Sequence, residues 1–181
     1  MIEFLKNLMN NKDSSSDNEL RTLHRVLNTD IRGEAKSQQD SIVFGCGCFW
    51  GAEKCFWKLP GIVTTSVGYA GGEKKNPSYY EVCSGITGHS EVVKVVWDIN
   101  KIDLSDLLKM FWECHNPTQK NRQGNDIGSQ YRSAIYYQKD KHKEKIKASK
   151  DAYQKELNDN NFGLIETEIK MIDTYYYAEE Y

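Results

Sequence analysis

Ser41-Ile42-Val43-Phe44-Gly45-Cys46-Gly47-Cys48-Phe49-Trp50-Gly51 changes character halfway along. Its first four residues have the β-branched and aromatic content of a short buried strand, and Gly45 and Gly47 permit a sharp turn after it. From Trp50 the apolar positions fall at helical spacing, with Ala52, Cys55, Phe56 and Leu59 on one face until Pro60-Gly61 stops the run. Cys48 is therefore expected at or just before the first turn of a helix. Unpaired N–H groups and the positive dipole end there favour an anion, so its thiol pKa is expected to be lowered. A free cysteine is more often a small buried hydrophobe. Glycine on both sides, however, packs a core poorly and lets another group approach the backbone closely.

Outward from that turn, Gly61 to Tyr69 reads as a second strand with Ala70-Gly71-Gly72 as its exit, and a long polar segment runs on to Ser90. Glu91 to Trp97 is a third strand. Asp103 is placed to cap a helix from Leu104 to about His115, with Leu104, Leu107, Leu108, Phe111 and Cys114 on its inner side. A second long loop covers Asn116 to Gln130. Tyr131 to Tyr137 is a fourth strand, Lys141 to Leu157 a charged surface helix, and Ile165 to Ile172 a fifth strand. This order predicts an α+β fold, a ferredoxin-like α/β plait whose mainly antiparallel sheet carries helices, with an added C-terminal helix and strand. Residues 1–40 read as an extension, with one or two short amphipathic turns at Ile2, Leu5, Leu8 and Met9 and a weak helix from Asn18 to Leu27; residues 41–181 read as one compact domain.

The chain has 181 residues, enough for one domain with a substantial core, and a net charge of −2 with no basic stripe, which argues against nucleic acid or an anionic membrane as partner. No apolar run approaches a membrane span, and Glu3 and Lys6 interrupt the only greasy N-terminal stretch, so a soluble, cytoplasmic monomer is expected. Five cysteines without regular spacing fit reduced thiols better than a disulfide framework.

A thiolate that attacks a carbonyl needs a base to relay protons, and His89 and His115 are the residues to consider; with Cys48 and Asp126 they would make an acyl-transfer hydrolase. A thiolate that attacks an oxidised sulfur needs a proton donor for the departing oxygen and an apolar slot for the sulfur substituents. Phe49 and Trp50 suit the slot, and a carboxylic acid kept neutral beside aromatics suits the donor. His89-Ser90-Glu91 has the His-x-Glu form of zinc deaminases without the companion Pro-Cys-x-x-Cys, and Cys46, Cys48 and Cys55 do not match common zinc spacings, so no metal and no bound cofactor are expected.

Six ordered blocks carry a resemblance: Gly45 to Gly51, Gly68 to Gly72, Asn76 to Tyr79, Glu81 to Gly85, Thr87 to Val92, and Gln123 to Tyr136. Together they resemble the A-type peptide methionine sulfoxide reductases, from Ser41 to Tyr181. The resemblance implies reduction of the S epimer of methionine sulfoxide, free or in proteins, as a repair of oxidative damage. Cys48 would attack the sulfoxide sulfur and be left as a sulfenic acid. Phe49 and Trp50 would hold the substrate methyl group, Glu91 would protonate the oxygen, Tyr79 and Tyr131 would hydrogen-bond it, and Asp126 would support the group from the second loop. Many relatives continue past the equivalent of Ala178-Glu179-Glu180-Tyr181 into a tail whose resolving cysteines form a disulfide that thioredoxin reduces. Within this chain Cys46 would close a strained ring, Cys55 and Cys114 read as structural, and Cys83 is the remaining internal candidate. Direct reduction of the Cys48 sulfenic acid by an external dithiol, thioredoxin or similar, is the expectation.

Overall fold

The computed structural model describes residues 23–33 and 35–179. Strand β1 (Gln39–Cys46) leads through Gly47 and Cys48 into helix α1 (Phe49–Phe56), and β2 (Ile62–Ala70) follows. Gly47 has φ +86°, and a side chain there would drive its Cβ to 2.6 Å from Gln123, so both conformation and space require glycine at this turn. Next come α2 (Tyr79–Cys83), β3 (Ser90–Asp98), α3 (Leu104–Cys114), a two-residue hairpin of β4 (Arg122–Gln123) and β5 (Asp126–Ile127), β6 (Ser133–Tyr137), α4 (Lys143–Asp159), β7 (Glu168–Met171) and β8 (Tyr176–Tyr177). The main sheet has the order β7-β6-β1-β3-β2-β8. Its pairings are antiparallel except β6 with β7, so the architecture is mixed α+β with a mostly antiparallel sheet.

Side-chain alternation assigns the two faces of this sheet. Ile42, Phe44 and Cys46 of β1 join Val93, Val95 and Trp97 of β3 in the larger core, beneath α1 and α3. Val43, Val92, Ala134 and Tyr136 point the other way, against Ile172 and Tyr175. Phe44 stacks on both Phe56 and Phe111, each at 5.0 Å between ring centres, which ties β1 to α1 and α3. Asp103 accepts from Ser105 N at 2.8 Å and caps α3 as expected. Glu91 has the same parity as Val93, so the alternation turns this carboxyl inward, under α1.

Several expected boundaries move. β1 starts at Gln39 rather than Ser41, because Asp40 is buried and held by Lys139, Lys141 and His142. The polar segment before Ser90 contains α2, whose capping box joins Ser78 and Glu81. Tyr131 belongs to a 3-10 turn and not to the fourth strand, and the fifth strand is only Glu168–Met171. In the expected helix from Asn18 to Leu27, the described residues form a turn instead. The His24 ring accepts from the N–H groups of Val26 and Leu27 and bonds Thr65 Oγ1 at 2.7 Å, and Leu23 bridges Asp30. The expected turn at Ile2 to Met9 lies outside the described residues. Among the described residues no helix is long and apolar enough to cross a membrane.

Candidate active site

Cys48 is the N-cap residue of α1, half-buried, with φ −57° and ψ 120°. Its carbonyl accepts from Gly51 and Ala52, each at 3.2 Å, and so starts the helix. The first free N–H, that of Phe49, goes instead to Glu91 Oε2 at 3.1 Å. Glu91 is 1% exposed. Burial, aided by the charge of Asp126 and opposed by the Phe49 N–H, pushes its carboxyl up to about 7.

That arrangement corrects one expectation. Burial raises the Cys48 thiol, and the charges of Glu91 and Asp126 raise it further, against the opposing pull of the Trp50 and Gly51 N–H groups. The resting thiol is therefore pushed up, not down. A two-turn helix whose leading N–H is already given to a carboxylate has little left to offer a thiolate.

The other expected polar groups converge on the same place. Tyr79 opens α2, and its phenol is pushed up to about 12, chiefly by a hydrogen bond to Cys83, with Glu91 and Tyr131 within electrostatic reach. Tyr131, on the 3-10 turn, is raised by burial and then by Glu91, Cys83, Asp126 and Cys48. Asp126 is exposed on the β4–β5 hairpin and acts on Glu91, Cys48 and Tyr131 through its charge. The hairpin brings it there. Beside these groups lies a pocket of about 370 Å³ lined by Phe49, Trp50, Tyr79, Tyr69 and Glu179 among others. Phe49 is buried in its wall, and Trp50 stands edge-on to it at 5.8 Å, 57% exposed at the rim.

Two residues of this pocket had no role assigned to them from the sequence. Glu179 accepts from the Tyr69 hydroxyl at 2.9 Å and from the Tyr79 N–H at 2.8 Å, so the C-terminal segment holds the start of α2. Tyr69 pairs with Glu91 across β2 and β3, a contact that strand register could have found. The histidines take no part in this group. His89 accepts from Gly72 N at 3.1 Å and contacts Lys74 O at 2.7 Å, while His115 contacts Phe111 O and Ser133 Oγ, each at 2.7 Å. Both nitrogens of each ring are taken by the surrounding loops and strands. The acyl-transfer arrangement with Cys48 therefore lacks its base.

The geometry defines a cysteine at a helix start, coupled through one N–H to a buried carboxyl beside an aromatic pocket. Residues 40–181 match the family described as Peptide methionine sulfoxide reductase, and the chain belongs to that family. It is 58% identical over 142 residues to "Peptide methionine sulfoxide reductase MsrA" of Pseudomonas putida, a match that covers 78% of this chain and 64% of that protein. The chain thus spans just under two thirds of the length of such relatives. Among solved structures, methionine sulfoxide reductase A of Corynebacterium diphtheriae superposes with a TM-score of 0.80 at 41% identity, covering 86% of this chain and 76% of that one. Mxr1 from Saccharomyces cerevisiae in reduced form gives 0.75 at 36%, covering 82% and 84%. The same yeast protein in complex with Trx2 gives 0.61 at 24%, covering 82% and 87%, a likeness of fold.

Proposed function

We propose that this chain reduces the S epimer of methionine sulfoxide, free and in proteins, to methionine, with residues 41–181 as the catalytic unit. The observation that carries the reading is Glu91, a carboxyl 1% exposed, pushed up to about 7, and joined to the backbone of Phe49 next to Cys48. The substrate methyl group lies against Phe49 and Trp50, and the sulfoxide oxygen lies among Glu91, Tyr79 and Tyr131. A sulfoxide oxygen there accepts a hydrogen bond from the protonated form of Glu91, and so favours transfer of the Cys48 proton to that carboxylate, which leaves a thiolate beside a neutral acid. The Cys48 proton passes to Glu91, the sulfur attacks the sulfoxide sulfur, and Glu91 delivers the proton to the oxygen. The S–O bond then breaks as the protonated oxygen passes to the Cys48 sulfur, the transient S–S bond breaks with its electron pair returning to the methionine sulfur, methionine leaves, and Cys48 is oxidised to a sulfenic acid. Two external thiols then reduce it, releasing water and a disulfide.

A thioredoxin-class dithiol is the reductant on this reading, supported by the solved complex of yeast Mxr1 with Trx2. Five unpaired thiols fit a reducing, cytoplasmic setting. The central order β6-β1-β3-β2, all antiparallel, supports a ferredoxin-like plait extended by α4, β7 and β8. A chiral sulfoxide assay with dithiothreitol tests the activity. The S epimer is consumed and the R epimer remains, and Cys48→Ser abolishes turnover. Equal consumption of both epimers, or activity that survives in Cys48→Ser, overturns the reading.

A further inference from the structure

Three cysteines that the proposed reaction does not use meet on the helix side of the sheet. Cys46 ends β1, Cys114 ends α3, and His115 follows Cys114 as the cap. One ligand atom from each of these three residues lies within 4.8 Å of the other two. Cys55, on α1 where that helix packs against α3, borders the same core as Cys46 and Cys114, just outside that group. The spacing in sequence hides this set because its members come from three different elements, and only the packing of α1 and α3 on β1 assembles it.

We propose that Cys46, Cys114 and His115 form a binding site for a thiophilic divalent cation of the zinc class, with Cys55 turning in as the fourth ligand. A donor set of sulfurs and one imidazole suits a borderline-soft ion and excludes calcium or magnesium, which require oxygen. The imidazole is already fixed as a metal-bound ring is, with one nitrogen against the Phe111 carbonyl at 2.7 Å. Its other nitrogen meets Ser133 Oγ, and Ser133 keeps Thr167 Oγ1 at 2.7 Å when that nitrogen turns to a metal. Binding displaces the thiol protons of Cys46, Cys55 and Cys114 and leaves the ion enclosed by four protein ligands. Such a closed site is structural. It clamps α1, which carries Cys48, onto β1 and α3, without using Cys48 itself.

The test uses the full chain, reduced and freed of metal, titrated with Co²⁺ as a spectroscopic stand-in and then with Zn²⁺. A sulfur-to-cobalt charge-transfer band is expected at equimolar metal, displaced by Zn²⁺, lost in Cys46→Ser and Cys114→Ser, and kept in Cys48→Ser and Cys83→Ser. A second readout needs no variant: alkylation followed by peptide mapping. Bound Zn²⁺ should slow modification of Cys55 and Cys114 by about tenfold or more while Cys48 and Cys83 react as before. Absence of the band, a band that survives in Cys114→Ser, or protection confined to Cys48 and Cys83 overturns the site. None of these readouts depends on sulfoxide turnover, so failure here is distinguishable from failure of the proposed reaction.

Discussion

The Phe49 N–H and the Glu91 carboxylate, 3.1 Å apart, join the start of the cysteine's helix to the third strand and couple the ionisation of Glu91 to that of Cys48. Removing the carboxyl charge should therefore separate two properties of the cysteine. In Glu91→Gln the proposed proton donor is gone, and turnover should fall by about 100-fold or more. The charge that raises the Cys48 thiol is gone as well, so its alkylation by iodoacetamide at pH 8 should quicken and its titration midpoint should move down. Stopped-flow alkylation across pH, alongside the sulfoxide assay, checks both. A variant whose thiol becomes slower, or whose turnover is unchanged, contradicts the coupling.

The same carboxyl sets a stability dependence with a definite sign. Its folded pKa of about 7 lies above the ordinary 4.5, so the folded state holds a proton that the unfolded chain releases between those values. Its contribution is fully present below about pH 4.5 and is lost as pH rises through about 7. The loss is about 3 kcal/mol by the size of the shift. Glu91→Gln keeps an oxygen for the Phe49 N–H and carries no charge. Urea unfolding should show the variant more stable than the wild type at pH 8, with the difference closing toward pH 5. Parallel stability curves for the two proteins would contradict the assignment of this shift to Glu91.

How much of this was legible beforehand depended on whether the cause was local. The strand-to-helix turn at Gly47-Cys48, the cap at Asp103 and the inward faces of β1 and β3 follow from periodicity and side-chain chemistry within a few residues, and all are present. The five-residue α2 was missed although Ser78-Tyr79-Tyr80-Glu81 has the local form of a capping box, because it is too short to carry an apolar stripe and its start is also held by the distant Glu179. The turn at His24 was hidden because one buried imidazole bonded to Thr65 outweighs a weak helical pattern. The direction of the Cys48 shift was misread for a related reason. Helix-end N–H groups are visible in sequence, whereas a carboxylate 42 residues beyond Phe49 that competes for them is not.

Recycling of Cys48 can be separated from the role of Cys83. The Cys83 thiol is engaged with the Tyr79 phenol, and its carbonyl accepts from Gln130 Nε2 at 3.2 Å, which ties it to α2 and the second loop. After one turnover without reductant, mass spectrometry should find a dimedone adduct on Cys48, and Cys83→Ser should retain dithiothreitol-driven turnover. A stable Cys48–Cys83 disulfide would instead make Cys83 the resolving thiol and remove the need for direct attack by the external dithiol.

Glu179 offers the most specific test of how the pocket is held. One carboxylate takes the Tyr69 hydroxyl with one oxygen and the Tyr79 N–H with the other, so it fixes the pocket wall and the first residue of α2 together. Hydrogen bonds to a charged group contribute roughly 1.5–3 kcal/mol each when partly shielded, and the Glu179 carboxylate holds Tyr69 and Tyr79. Glu179→Ala frees Tyr79 to shift away from the oxygen position, so kcat/KM for sulfoxide should fall roughly tenfold or more, within the range of losing one such bond. The alkylation rate of Cys48 should be unchanged, because the groups that set its thiol pKa stay in place. Glu179→Gln, which keeps an acceptor for one of the two donors, should recover part of the loss. If Glu179→Ala alters the alkylation rate as much as it alters turnover, the residue acts on the cysteine and not through Tyr79.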